Sequence, residues 1–155
     1  MDKTGNYITA EKKEALEIEL KDLKGAKRKE ILDALEYAKS LGDLSENAEY
    51  HQAREDQGKL EAKIAHIESV LQSAIVVSGG GGDIVQIGSK IVVKKTGDKE
   101  DKNYMIVGSE EADMSLGKIS NQSPLGTAFF GKKKGDTVKV TTPGGEVSYK
   151  IVEVA

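Results

Sequence analysis

The chain has 155 residues, of which 32% are charged and 37% hydrophobic, and it contains no cysteine. The absence of cysteine excludes disulfides, thiolate metal sites and cysteine nucleophiles, and no apolar run approaches the roughly 18 residues of a membrane helix. A net charge of −3 argues against a protein that coats nucleic acid by bulk electrostatic attraction. Because the N-terminal residues lack the apolar core of a signal peptide, we expect a cytoplasmic protein of one or two domains.

Charge and glycine content divide the chain into two halves. Residues 1–78 hold 16 acids and 12 bases, whereas residues 79–155 hold 10 acids, 11 bases and both prolines. Four consecutive glycines lie between Ser78 and Asp83, and such a run costs too much backbone entropy inside a regular element. The sequence therefore predicts two domains, residues 1–78 and 79–155, joined by a flexible linker.

The first half has the apolar periodicity of two long helices. Apolar residues recur at steps of three and four from Leu16 to Ala38, with one slip after Leu23, and again from Ala53 to Ala74. Sustained heptads with charged flanks indicate a coiled coil. Thr9 is suited to cap the first helix, and a glycine at position 42 is typical of a helix end. We therefore predict an antiparallel hairpin roughly 40–45 Å long.

The second half is typical of a small sheet domain. Short β-branched runs at residues 89–95, 102–107, 136–142 and 146–154 predict four strands, with a Pro-Gly-Gly turn before the last. A short helix is expected at residues 123–130, with Pro124 in its first turn. Phe129 and Phe130 are expected in the core. These features predict a mostly antiparallel α+β domain.

The predicted hairpin tip, residues 42–50, carries the most informative chemistry. Asp43 and Glu46 are three residues apart, so their carboxylates can converge at the start of the second helix. One interpretation is a capping box, in which both acids accept backbone N–H groups. The alternative is a metal site completed by a second protein, because two carboxylates are too few to hold Mg²⁺ tightly by themselves.

The tip residues also carry a resemblance. Gly42-Asp43-Leu44-Ser45-Glu46-Asn47-Ala48-Glu49-Tyr50-His51, followed by Ala53-Arg54-Glu55, resembles the tip signature of the bacterial Gre family of transcript-cleavage factors. The second half continues the likeness in order: Glu111-Ala112-Asp113, Ile119-Ser120, Ser123-Pro124-Leu125-Gly126, Gly131-Lys132-Lys133, Gly135-Asp136-Thr137-Val138 and Thr142-Pro143-Gly144-Gly145. The resemblance implies an α+β fold, with an N-terminal antiparallel coiled-coil hairpin followed by a small FKBP-like, mostly antiparallel sheet domain.

The resemblance further implies a transcription elongation factor that binds RNA polymerase and inserts its tip into the secondary channel. Asp43 and Glu46 would hold Mg²⁺ jointly with polymerase acids and stimulate cleavage of backtracked nascent RNA, with no metal held tightly by the isolated protein. No independent enzymatic activity, no membrane contact and a monomeric state are expected. Two rival functions stay open. One is a channel-binding regulator without cleavage activity, and the other is an adaptor or chaperone that uses the coiled coil to oligomerise and the β domain to bind peptides.

Three neighbours of the acids have predicted supporting roles. Ser45 and Asn47 flank Glu46, and Ser45 is expected to cap the helix, with orientation of water or phosphate as the alternative. Tyr50 is expected to pack against the other helix, with stacking on RNA as the alternative.

The resemblance also implies contact surfaces beyond the acids. Lys39 and Arg54 match a basic patch that contacts RNA in the family, and the alternative is a solvated face balanced by neighbouring acids. For the basic cluster at residues 24–29 we favour the solvated face. Ser123 and Pro124 are our candidates for docking on polymerase.

Overall fold

The computed structural model describes residues 2–155, which form two compact units. The hairpin unit comprises residues 13–73, and the sheet unit comprises residues 2–12 together with 74–155. This division differs from the predicted one at both ends of the hairpin, because the strand that precedes the hairpin pairs with the strand that follows it. No helix within residues 2–155 is long and apolar enough to cross a membrane.

Three α-helices and one π-helical segment form the two arms of the hairpin. In the first arm, Leu23–Lys27 adopts π-helical geometry between two α-helices. The second arm is a single helix of 26 residues, about 39 Å long at 1.5 Å per residue. The bounds are α1 Ala10–Asp22, α2 Arg28–Ser40 and α3 Ala48–Ser73.

The π-helical segment explains the slip in the apolar pattern. Leu16 and Leu23, both buried, are seven residues apart, whereas the next buried position, Ile31, comes eight residues later. A π-turn accommodates one extra residue in the helix, so the apolar positions on both sides of Leu23–Lys27 keep facing α3. The predicted antiparallel hairpin is therefore confirmed, and the π-helical segment keeps the apolar positions on both sides of it on one face.

The seam of the hairpin is apolar along its length. Nine of the predicted seam positions are buried, as is Val70, which lies one turn beyond Ile67 on the same face. Leu71, which the heptads placed in the seam, is half-buried. The buried seam residues are Leu16, Leu23, Ile31, Leu35, Ala38, Ala53, Leu60, Ile64, Ile67 and Val70.

The sheet unit contains a two-stranded and a five-stranded sheet. β1 pairs in parallel with β2, and the larger sheet has the order β5-β4-β3-β7-β6, antiparallel except for the β4–β5 pair. The four predicted strands are present within one residue of their expected starts and ends. The bounds are β1 Tyr7–Thr9, β2 Ile75–Val77, β3 Lys90–Lys95, β4 Lys102–Val107, β5 Lys118–Ser120, β6 Thr137–Thr142 and β7 Gly145–Val154.

A short helix and two 3₁₀ turns complete this unit. α4 is Pro124–Phe129, with the proline at its first position as predicted, and the 3₁₀ turns are Ser109–Glu111 and Met114–Leu116. Phe129 is fully buried and meets the Tyr149 ring edge-to-face at 5.6 Å between centroids. Phe130 is also buried in the same core, which confirms the predicted role of both phenylalanines.

The glycine run is not wholly a free linker, contrary to the sequence prediction. A side chain at Gly80 would stand 2.7 Å from the Cα atom of Ser89, and one at Gly88 would collide with the backbone of Gly79 and Gly80. The two chain segments therefore cross at backbone contact distance, which only glycine permits. Glycine here serves close packing within the sheet unit.

Candidate functional site

The loop between α2 and α3 is fixed at both ends by one side chain, that of Asn47. Its Oδ1 accepts the backbone N–H of Tyr50 at 3.1 Å, and its Nδ2 donates to the carbonyl oxygen of Ala38 at 2.6 Å. Asn47 therefore caps α3 and simultaneously satisfies a carbonyl at the end of α2. The capping role predicted for Ser45 is wrong, because α3 begins only at Ala48.

Asp43 organises the loop through Ser45. Its Oδ1 accepts both the backbone N–H of Ser45 at 3.0 Å and the Ser45 hydroxyl at 2.9 Å. These two hydrogen bonds, the backbone one foremost, hold the pKa of Asp43 below its ordinary value. Among residues 2–155 no hydrogen bond is made to the second oxygen, Oδ2, so one oxygen of an ionised carboxylate faces solvent.

Glu46 is the second exposed acid of the loop. Within the described chain it takes part in no hydrogen bond or ion pair, and it lies two residues before the start of α3. The capping-box interpretation of Asp43 and Glu46 is therefore wrong: Asp43 binds Ser45 of the loop, and Glu46 accepts no helix N–H. Neither carboxylate caps the N-terminus of α3.

His51 braces the loop from the first turn of α3. Its Nε2 lies 3.1 Å from the carbonyl oxygen of Ser45, which requires the tautomer with a proton on Nε2. The half-buried Tyr50 stacks edge-on against the His51 ring, with centroids 5.7 Å apart. Sequence reasoning missed this contact, although a histidine in the first turn of a helix can reach back to the loop that precedes it.

The donor atoms at the tip suit a hard cation but do not complete a site. Mg²⁺ prefers oxygen ligands such as carboxylates, and its octahedral shell requires six oxygens, several of them from water. Within residues 2–155 there is no group of three or more histidine, aspartate or glutamate side chains that could hold a metal ion. Asp43 and Glu46 therefore fit a shared metal site only as part of a larger ligand set.

The basic residues of the hairpin fall into two groups. In the basic cluster at residues 24–29 all four cations are ion-paired: Lys24 with Glu68, Lys27 with Glu30, Arg28 with Glu61 and Lys29 with Asp33. The Arg28–Glu61 pair is bidentate and joins the two arms, with N–O distances of 3.0 and 2.9 Å. These pairs confirm the predicted solvated, charge-balanced face at residues 24–29.

Lys39 and Arg54, by contrast, have no carboxylate partner within residues 2–155. Arg54 donates to the neutral Gln57 amide at 2.8 Å, while Glu55 pairs with Lys59 instead. The neighbouring acids that were expected to balance these two cations therefore form no ion pair with either of them within residues 2–155. Two exposed, uncompensated cations lie on the arms that lead to the acidic tip.

Ser123 and Pro124 stand at the start of α4. The Ser123 hydroxyl accepts the N–H of Gly126 at 3.0 Å and donates to the carbonyl of Ser120 at 2.7 Å. Its polar group is therefore occupied in capping, whereas Pro124 is exposed.

The fold and the tip define a class of protein that carries two exposed acids on the loop between antiparallel helices instead of in an enclosed pocket. Two family models match the chain: "Transcription elongation factor, N-terminal" over residues 6–76, and "Transcription elongation factor, GreA/GreB, C-term" over residues 80–155. The chain belongs to the GreA/GreB family of transcription elongation factors.

Individual relatives agree with this assignment. The chain is 43% identical over 149 residues to transcription elongation factor GreA of Bacillus subtilis (strain 168), which covers 96% of this chain and 95% of that protein. It is 42% identical over 151 residues to GreA of Shouchella clausii (strain KSM-K16), with 96% of each chain covered. A crystal structure of GreA factor homolog 1 (Gfh1) of Thermus thermophilus aligns with a TM-score of 0.45 at 24% identity, covering 97% and 99% of the two chains. The family models and the identities to these two relatives confirm the predicted family.

Proposed function

We propose that this chain is a transcript-cleavage factor that binds RNA polymerase and stimulates hydrolysis of backtracked nascent RNA. Family membership supports the general role in transcription elongation. The observation that carries the specific role is the pair of exposed acids at the tip, Asp43 and Glu46, for which residues 2–155 offer no partner outside their own loop. A hairpin arm of about 39 Å gives these acids the reach to enter a channel in a larger enzyme.

Asp43 and Glu46 would hold Mg²⁺ together with acids of the polymerase. When bound, a second metal ion supplies charge stabilisation and an activated water for phosphodiester hydrolysis. The residues of this chain prepare for that role in two ways. Ser45 lowers the pKa of Asp43 and occupies one of its oxygens, while the other accepts no hydrogen bond within residues 2–155. His51 with Asn47 restrains the loop that bears both acids.

Lys39 and Arg54 would contact the phosphates of the nascent RNA. The support is their exposure and the absence of a carboxylate partner for either within residues 2–155. A cation that forms no internal ion pair keeps its full attraction for an approaching phosphate. The basic residues at 24–29 lack this property, because each already pairs with an acid.

Ser123 and Pro124 would form part of the surface that docks on polymerase. Because the Ser123 hydroxyl caps α4, its contribution is to hold Pro124 in place, and the exposed proline ring makes the contact. One copy of the chain suffices for this role, so we infer that it acts as a monomer.

The proposal is tested by replacing both tip acids without changing their size. The D43N/E46Q variant should bind RNA polymerase as the wild type does and should not shorten RNA in stalled complexes with Mg²⁺. The matched control is E36Q/E49Q, which removes two exposed acids from the same hairpin. Cleavage with the tip variant at the wild-type rate contradicts the proposal. If the wild type binds polymerase but stimulates no cleavage, the proposal is also contradicted, and the protein is a non-cleaving regulator.

A further inference from the structure

The outer face of the five-stranded sheet carries two lysines directly opposite each other. Lys94 on β3 is the register partner of Lys150 on β7, and both are exposed. Opposed residues on one face of an antiparallel pair have Cβ atoms about 4.5–5.5 Å apart, and like charges at that distance destabilise the sheet. Neither lysine forms an ion pair with a carboxylate within residues 2–155, so this repulsion has no internal compensation.

These lysines line a cleft with a third. The cleft has a volume of about 470 Å³ and is lined by Lys94, Lys134 and Lys150, with Asp101 as its single acid. Asp101 forms an ion pair with none of the three lysines. The local charge is therefore positive, although the chain as a whole carries −3.

A second basic cleft adjoins the first across the loop at residues 132–135. It has a volume of about 340 Å³, and its lining includes Thr127 and Thr137 and no acid. The two clefts are lined by paired strands, because Thr137 in the second is the register partner of Lys150 in the first. The lysines of the second cleft are Lys3, Lys132 and Lys139.

Lys3 is held in this cleft by the core of the sheet unit. The amide of the fully buried Asn121 donates to the carbonyl oxygens of Lys3 at 2.8 Å and Gly5 at 3.1 Å. The hydroxyl of Thr127 in turn donates to the backbone carbonyl of Asn121. The backbone at Lys3 and Gly5 is thus anchored by Asn121, just before α4, which places Lys3 at this cleft.

We propose that these six lysines form one surface that binds the phosphate backbone of a nucleic acid without reading its sequence. A run of cations over two adjoining clefts matches a chain of phosphates better than a single anion. An acidic protein surface is the less suitable ligand, because protein interfaces are depleted in lysine and enriched in aromatic residues and arginine. Neither cleft is lined by an aromatic or arginine side chain among the described residues.

The test uses the full-length chain and fluorescence anisotropy with labelled single-stranded RNA, duplex DNA and inorganic polyphosphate. The K94Q/K134Q/K150Q variant is compared with K13Q/K29Q/K59Q, which removes the same charge from the hairpin unit. Each lost phosphate contact lowers the slope of log K against log salt by about 1 between about 50 and 200 mM salt. We expect K94Q/K134Q/K150Q to bind nucleic acid at least roughly tenfold more weakly than the wild type, with the salt slope reduced by about 2 to 3. The hairpin variant should bind as the wild type does.

Unfolding controls separate binding from folding. Removing the opposed lysines should leave the melting temperature unchanged or raise it, since like-charge repulsion is relieved. Equal nucleic-acid binding by the sheet variant and the wild type overturns the proposal, and so does an equal loss in both variants. Binding of polyphosphate without nucleic acid, or a variant that loses polymerase binding but retains nucleic-acid binding, assigns the surface to another ligand and also overturns it.

Discussion

His51 reaches back from α3 and places its Nε2 3.1 Å from the carbonyl oxygen of Ser45. This contact links the first turn of the helix to the loop residue that itself holds Asp43. Restraint of the two tip acids therefore depends on a side chain that does not touch metal or RNA in our account, which makes His51 a positioning residue.

The H51A variant should weaken cleavage while leaving polymerase binding unchanged. Loss of one hydrogen bond of about 0.5–1.5 kcal/mol corresponds to roughly a two- to twelvefold lower rate of RNA shortening. The H51Q variant retains a side-chain N–H donor and should recover part of that rate. A cleavage rate for H51A equal to that of the wild type, at saturating factor, means that the Ser45 contact does not position the acids.

Removal of the Asn47 side chain should destabilise the hairpin more than removal of the Ser45 hydroxyl. N47A removes the cap of α3 and the bond to Ala38, so we expect a loss of about 1–2 kcal/mol in the free energy of unfolding. S45A affects only an exposed loop contact and should cost less than about 0.5 kcal/mol. Urea unfolding of both variants measures the difference, and the reverse order contradicts the assignment of the cap.

The S45A variant should also raise the pKa of Asp43. Both hydrogen bonds that lower this pKa come from Ser45, and alanine retains the backbone N–H but lacks the hydroxyl. Because the folded-state pKa is depressed, the stabilisation from ionised Asp43 is present at neutral pH and is lost as pH falls through the carboxyl range. An NMR titration of the Asp43 carboxyl carbon measures the shift, and an identical titration curve in S45A shows that the hydroxyl has no influence.

Two glycine substitutions should have opposite effects on stability. A methyl group at Gly58 in α3 meets nothing within 4 Å, so G58A should stabilise the protein by about 0.5–1 kcal/mol. A methyl group at Gly126 would collide with the carbonyl oxygen of Ser120, so G126A should destabilise it by more than about 1 kcal/mol. Thermal unfolding compares them, and destabilisation by G58A would show that the helix is packed on that side.

Deletion of Gly25 should preserve the hairpin. The π-helical segment holds one residue more than an α-helical path requires, so the shortened arm can become regular with its seam still facing α3. Deletion of Glu55, between the seam residues Ala53 and Leu60, is the control, because it rotates the rest of α3 by about 100°. Circular dichroism melts should show the first variant near the wild type and the second well below it. Equal losses would contradict the assignment of the extra residue.

The sequence predicted the large elements because their patterns are long. Heptads over about 60 residues specified the hairpin, and the slip after Leu23 marked the π-helical segment without naming it. The strands β1, β2 and β5 were not found, since three residues are too few to display alternation. The units were divided differently because the pairing of Tyr7 with Ile75 joins residues far apart in the chain.

At the tip, the sequence identified the acids but not their surroundings. Ser45 and Asn47 are both good capping residues, so propensity alone could not decide which one caps α3. The choice follows from where the helix starts, and that depends on the bond between Asn47 and Ala38 across the loop. The identities of unpaired cations such as Lys39 also required the structure, because every basic residue of the hairpin has an acid nearby in sequence.

The role of Asp43 and Glu46 is tested most directly by the rate at which RNA polymerase, stalled in a backtracked complex, shortens its transcript in the presence of this protein. With the wild type or E36Q/E49Q at saturating concentration and Mg²⁺ present, we expect rapid release of the RNA 3′ segment. With D43N/E46Q bound equally well, we expect the rate of polymerase alone. Release by D43N/E46Q at the wild-type rate would contradict the assignment of Asp43 and Glu46 as the residues through which the hairpin acts.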